Sequence, residues 1–272
     1  MSELLEYTFF RHALVGALLV SVLCGMVGTY VVTRRQVFVG GGIAHASLGG
    51  VGMGAFFGFS PLLGASLFAL GSGYAIRWLS RRREIREDSA IAMLWTFGMS
   101  AGILCSYLSS DFMPELPSFL FGNILTVTST DLYLLGGLTF FTACCFTMLQ
   151  RPIAMVAFDY EFARSQRIPA SAIELLMIGL TALTIVGCLR MVGIVLVISM
   201  LSVPQLTANL FTQNFKRLIL YSIVFGFVGC MGGLTIAYHY NVPGGASIIF
   251  VSILIYLLAK AIKSAIQCLY SK

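Results

Sequence analysis

Apolar residues run along this chain in nearly unbroken blocks of about 20, the length a helix needs to cross the hydrocarbon core of a bilayer. The blocks cover residues 10–33, 37–57, 61–79, 89–109, 131–150, 172–189, 191–211, 217–238 and 245–263, and polar residues gather in the gaps between them. This pattern predicts an all-α fold: a polytopic integral membrane helical bundle of about 8–9 transmembrane helices. It forms a single domain over residues 1–272, with no internal repeat and no appended soluble unit. Only Arg190 separates the sixth and seventh blocks, so those two also read as one broken element.

The gaps add an orientation. With nine crossings, Arg34, Arg35, Arg77, Arg81, Arg82, Arg83, Arg86, Arg151, Arg164, Arg167, Lys216, Arg217, Lys260, Lys263 and Lys272 fall on one side of the membrane. Arg11 and Arg190 fall on the other. Excess Lys and Arg marks the cytoplasmic side, which puts the N-terminus outside and the C-terminus in the cytoplasm. The net charge of +6 is thereby accounted for by topology, and no nucleic-acid partner is read from it. The chain is 58% hydrophobic and 10% charged, against about a quarter charged in soluble domains. Seven cysteines, at 24, 105, 144, 145, 188, 230 and 268, lack CxxC spacing and lie in or beside apolar blocks. They read as packing residues rather than as disulfides or a metal cluster. Glu3 and Glu6 stand where a signal peptide would be basic, so the N-terminus reads as uncleaved.

Three gaps are longer. Ser80 to Asp88 is a charge cluster that anchors the cytoplasmic side. Ser110 to Thr130 lies outside, carries Asp111 and Glu115 with no basic residue, and is broken by Pro114 and Pro117. Its SFLFGNIL stretch reads as a short half-helix returning toward the membrane. Arg151 to Ala170 reads as a cytoplasmic loop of mixed charge.

Candidate chemistry is sparse. There is no P-loop motif, no HExxH, no GxSxG and no pair of carboxylates within the blocks, so the chain is read as a pore without catalysis of its own. Such a pore needs an external energy source. The one clear ionisable group at mid-depth is His45, about 13 Å into the second block at helical rise. Imidazole binds first-row metals well. Two readings stay open: a contact on a metal pathway, or a packing histidine bonded to Ser47, Ser66 or a neighbouring carbonyl. His239 reads as an ordinary surface residue.

The segment around His45, Val37 to Phe59, holds eight glycines. On a helix Gly42, Ala46, Gly50 and Gly54 form one stripe of small residues. Gly41, His45, Gly49 and Met53 form the next. Small residues at that spacing let helices approach closely in lipid. In the last third, Pro204 interrupts an apolar helix, and QLTANLF follows as a short amphipathic piece ending at Lys216 and Arg217. It reads either as a face for a soluble partner or as a simple helix end. NVPGGAS reads as a turn into a new helix.

GGGIAHASLGGVGMG, EDSAIAMLWTFGMSAGILCSYL, SFLFGNIL and VGIVLVISMLSVPQLTANLF, in that order, resemble the membrane permease subunit of the metal-ion ABC importers, the zinc, manganese and iron type of the ABC-3 family. The resemblance covers nearly the whole chain and implies a type II ABC importer-like architecture. It implies a second permease in a homo- or heterodimer, cytoplasmic ABC ATPases that bind ATP, and an extracytoplasmic solute-binding protein that delivers a divalent cation. By the same likeness Pro204, Gln205, Leu206, Thr207, Ala208, Asn209 and Leu210 would dock into the ATPase, and the setting would be the cytoplasmic (inner) membrane of a prokaryote. Many relatives carry Gly-Asp-Ala-Leu-Ser-His-Ala where this chain has Gly40 to Ala46. Here Gly41 replaces the aspartate and Ala44 the serine, and Asn123 occupies a position often acidic. A carboxylate-rich path for Mn²⁺ is correspondingly less supported. The reading is therefore a permease importing a divalent transition metal, with no cofactor of its own. Importing a metal chelate such as haem or a siderophore is the alternative, and an intramembrane enzyme or scaffold a further one.

Overall fold

A computed structural model describes residues 8–81, 85–109, 122 and 127–270. Asp111, Pro114, Glu115, Pro117, Asn123 and the SFLFGNIL stretch apart from Gly122 lie outside the described residues, as do Arg82, Arg83 and Lys272. The elements in order are α1 (Thr8–Thr33), α2 (Val37–Phe57), α3 (Pro61–Arg81), α4 (Glu87–Leu108), α5 (Ser129–Met148), α6 (Gln150–Phe158), α7 (Tyr160–Ser165), α8 (Ala170–Met200), α9 (Val203–Asn209), α10 (Phe215–Tyr240) and α11 (Gly244–Tyr270). Nine stretches among the described residues are long and apolar enough to cross a membrane, two of them within α8 and its continuation. The fold is an all-helical membrane bundle.

α1, α2 and both limbs of α8 form the centre. At least 67% of each of these spans is buried, against at most 33% for α3, α4, α5, α10 and α11. α8 resolves the ambiguity at Arg190. Its helical hydrogen bonding runs on, but Gly193 breaks the geometry at φ 73° and ψ 162°. Cys188 lies beside Cys24, while Leu201, thirteen residues later, has its carbonyl against Gly28, one turn along α1. A straight helix would separate those two residues by about 20 Å. The chain therefore reverses at Gly193, and the sixth and seventh spans are two limbs of a hairpin. Gly122, itself at φ 62°, lies with its backbone against Val192 and Gly193, where a Cβ would strike main chain.

α2 is held by backbone contacts. A Cβ added at Gly49 would sit 2.7 Å from the Gly98 carbonyl oxygen of α4. At Gly50 it would strike Gly64 of α3, and at Gly52 it would strike Gly102 of α4. Reciprocally, a Cβ at Gly98 would lie 2.6 Å from the Ala46 Cα. The cost in helix propensity of so many glycines is offset by this close approach.

The region 151–170, read as a loop from its charges, contains α6 and α7. Ile153, Val156 and Ala157 recur at helical spacing and are buried, and Asp159 caps α7 by accepting from the Phe162 N–H at 3.0 Å. At the same end of the bundle, one carboxylate joins three helices. Glu174 at the start of α8 is 2.8 Å from Arg77 and 3.0 Å from Arg81 on α3, and 3.4 Å from Arg34 just past α1. Arg34 and Arg81 also lie over the Tyr160 ring of α7, whose hydroxyl accepts from Arg81 at 2.7 Å. The Lys263 ammonium donates to the Leu210 carbonyl there too. At the opposite end the His12 ring lies 3.2 Å from the Val127 carbonyl oxygen. Residues assigned by sequence to one side of the membrane thus meet at one end of the bundle.

Two stability measurements check this account. Gly49→Ala, Gly50→Ala and Gly52→Ala should each lower detergent-solubilised stability by about 1–3 kcal/mol, since main chain cannot yield. Gly71→Ala, where nothing lies within 4 Å, should be neutral or mildly stabilising in the same thermal scan. Glu174→Gln leaves three guanidinium groups facing a neutral amide and should cost about 3 kcal/mol. Arg81→Gln, at a side chain 49% exposed, should cost much less.

Candidate functional site

His45 stands on α2 between the central limb of α8 and the peripheral α4. It is half-buried, and its Nδ1 is buried with no hydrogen-bond partner. Neither serine considered as its partner serves. The Ser47 hydroxyl donates to the Ala44 carbonyl at 2.6 Å, and the Ser66 hydroxyl to the Leu62 carbonyl at 2.8 Å. The ring instead stacks on Trp95 of α4, with centroids 4.2 Å apart and planes 7° from parallel. Trp95 is in turn fixed by its own helix, its indole N–H donating to the Met99 sulfur at 3.0 Å. Along α4 the residues one and two turns before Trp95, together with Phe38 of α2, line a groove of about 340 Å³ that begins at Asp88.

The space at position 41, one turn before His45, is apolar. A Cβ on Gly41 would have only the Ile198 methyl, at 3.8 Å, as neighbour. Among the described residues no three His, Cys, Asp or Glu side chains stand close enough to share a metal ion. The arrangement offers a cation one unpartnered imidazole nitrogen and, among the described residues, no cluster of further ligands.

The small residues divide between two neighbours. Gly42 packs on Ile91, and Ala46 and Gly49 on Gly98, all of α4. Gly50 meets Gly64 of α3, and Gly54 meets Pro61 and the Phe59 carbonyl in the turn before α3. They are therefore brought into contact with α3 and α4 but not into one continuous stripe. The seven cysteines are all free. His239 is exposed, edge-on to Tyr240.

At the basic end, α9 opens with Pro204 in its first turn, where a missing N–H does no harm. Pro204, Gln205, Thr207 and Ala208 face inward and are buried. The Gln205 side-chain amide donates to the Cys24 carbonyl at 2.8 Å and the Met200 carbonyl at 3.1 Å, tight against Gly28. Leu206 and Asn209 face outward, and Leu210 is half-exposed. Asn209 borders a cleft of about 520 Å³, with Arg34, Arg35, Phe158 and Gln213 on its other walls. Sequence reasoning singled out neither Trp95 as the neighbour of His45 nor Glu174 as the meeting point of three arginines.

Comparison with known proteins gives this geometry its context. The ABC 3 transport family matches residues 6–263. An uncharacterized membrane protein of Synechocystis sp. is 35% identical over 263 residues, covering 97% of this chain and 94% of the relative. The manganese transport system membrane protein MntC of Halalkalibacterium halodurans is 33% identical over 257 residues, covering 94% and 88%. Among solved structures, PsaBC from Streptococcus pneumoniae, in complex with Fab, aligns with a TM-score of 0.86 at 28% identity, over 95% of this chain and 93% of that one. A match over nearly the full length, on a bundle whose spans and breaks fall as the apolar pattern requires, leaves one assignment: the chain belongs to the ABC 3 transport family, as a multi-pass membrane permease.

Proposed function

We propose that this permease carries a divalent first-row metal ion inward across a prokaryotic cytoplasmic membrane, driven by ATP hydrolysis in separate cytoplasmic subunits. The observation that carries the reading is the buried, unpartnered Nδ1 of His45 at mid-depth in the most buried span of an ABC 3 bundle. The relatives' names favour manganese. The imidazole without a nearby carboxylate at position 41 suits a softer ion such as zinc equally well. A solute-binding protein delivers the ion from outside, and a second permease completes the conduit. The N-terminus lies outside and the C-terminus in the cytoplasm, so that the end bearing Arg34, Arg77, Arg81 and α9 faces the ATPase.

Within that scheme the α2 contacts at Gly42, Ala46, Gly49, Gly50 and Gly54 serve helix packing during gate movement. Pro204 to Leu210 acts as the coupling segment in two parts. Leu206, Asn209 and Leu210 meet the partner. Pro204, Gln205, Thr207 and Ala208 fasten the segment to the bundle.

Co-expression with candidate ATPases tests the scheme. Leu206→Asp should abolish co-purification while leaving the thermal stability of the permease within about 0.5 kcal/mol. Gln205→Ala should instead lower stability by about 1–3 kcal/mol. A chain that neither binds an ATPase nor raises its turnover rejects the importer reading. For the cargo, uptake of radioactive Mn²⁺, Zn²⁺ and Fe²⁺ by cells bearing His45→Ala should fall at least tenfold for the natural ion. Undiminished uptake removes His45 from the pathway.

A further inference from the structure

The charge that a cation brings to His45 must be balanced in surroundings with little water, and position 41 supplies no carboxylate. We propose that Trp95 does this: its indole face is the charge-compensating and positioning partner of the imidazole when a divalent cation binds Nδ1. The inference rests on the reading of His45 as a metal contact and extends it to a residue on a second helix.

Three observations converge on Trp95. The two rings lie 4.2 Å apart and within 7° of parallel, so the whole face of the imidazole rests on the electron-rich face of the indole. A metal-bound imidazole carries part of the ion's positive charge, and indole is the strongest π-acceptor of such charge among the side chains. The indole is also held in place, because its N–H is committed to the Met99 sulfur one turn along α4, where Gly42 and Ile91 keep α2 close. Finally, Nδ1 is buried and has no protein partner, so a ligand in the ring plane would displace no hydrogen bond and would leave the stacked faces in contact.

The same geometry gives Trp95 a second effect. The groove of about 340 Å³ that begins at Asp88 has Trp95 in its wall but not His45. The indole therefore stands between the groove and the imidazole. A π-face holds a cation less tightly than a carboxylate does, and loose holding suits a site that an ion must leave on every turnover. Cargo selectivity then depends on the imidazole–indole pair rather than on a hard oxygen ligand.

The decisive comparison uses the complete importer for uptake and the purified full-length permease for fluorescence. In uptake, Trp95→Phe should raise the half-saturating metal concentration a few-fold, and Trp95→Leu about tenfold, with the maximal rate changed less than twofold. Adding Gly41→Asp to Trp95→Leu should restore most of the loss, because a carboxylate then supplies the missing compensation. In fluorescence, Trp78→Phe leaves Trp95 as the single indole of a chain with two tryptophans. Added Co²⁺ should quench its emission, and His45→Gln should abolish the quenching. Uptake that requires His45 but is unaltered in both Trp95 variants overturns the role of Trp95 and leaves the metal contact standing. Uptake indifferent to His45 removes the metal contact and this inference together. Should Trp95→Leu fail to assemble, Trp95→Phe and the Co²⁺ quenching decide. An absent quench, or one unchanged by His45→Gln, rejects the proposal.

Discussion

The close approach of α2 to α3 and α4, main chain against main chain, is the constraint on which the rest of this bundle depends. In lipid, apolar side chains gain nothing by leaving their surroundings, so helices must be held by packing contacts and hydrogen bonds rather than by exclusion of water. Gly49, Gly50 and Gly52 on one side and Gly64, Gly98 and Gly102 on the other leave no room for a methyl group. That close contact fixes the depth and rotation of α2. It thereby places His45 against Trp95, because a helix free to turn by one residue would carry the imidazole about 100° away from α4.

The second constraint is the reversal at Gly193. A polar main chain bent inside a membrane must be shielded, since an unpaired backbone group is costly in hydrocarbon. Gly122 lies flat on the bend, and its positive φ and missing side chain are what allow the approach. The centre of the protein is therefore a hairpin with Gly122 against its bend, flanked by α1 and α2. Both glycines adopt backbone conformations that an L side chain rarely tolerates. Ionic contacts collect at the other end, where Glu174 gathers three arginines and Tyr160 covers two of them.

Much of this was legible in the sequence. The nine apolar blocks match the spanning stretches to within a few residues, because bilayer thickness leaves helices little freedom in length. Arg34, Arg77 and Arg81, assigned to one side from Lys and Arg placement, do meet at one end of the bundle. The stripe of Gly42, Ala46, Gly50 and Gly54 was read as one surface, yet it meets α4 at its start and α3 at its finish. Residues four apart on a 3.6-residue helix advance about 40° round the axis at each step, so such a stripe winds from one neighbour to the next. The helices α6 and α7 were hidden because charge in 151–170 masked a short apolar face at Ile153, Val156 and Ala157. No sequence pattern points from His45 to Trp95, since the pairing exists only through the register that the glycines impose.

The division within α9 connects the two ends mechanically. A surface segment that merely lay on the membrane would yield when pushed. Here Gln205 is bonded to the Cys24 carbonyl of α1 and the Met200 carbonyl of α8, so α9 cannot move without carrying or breaking both. The second limb of α8 faces α2 at Ile198, whose methyl would lie 3.8 Å from a Cβ on Gly41, one turn before His45. A load on Leu206 or Asn209 is thus passed by hydrogen bonds to α1 and α8, and the side chain on α8 nearest to position 41 is Ile198. The two ends differ in kind: hydrogen bonds at the α9 end resist displacement in direction, whereas the apolar Ile198 side chain facing Gly41 resists compression only. A shift that draws the second limb of α8 away would leave α2 held by its glycine contacts to α3 and α4. The His45–Trp95 pair would then keep its geometry while the space beside Gly41 opened.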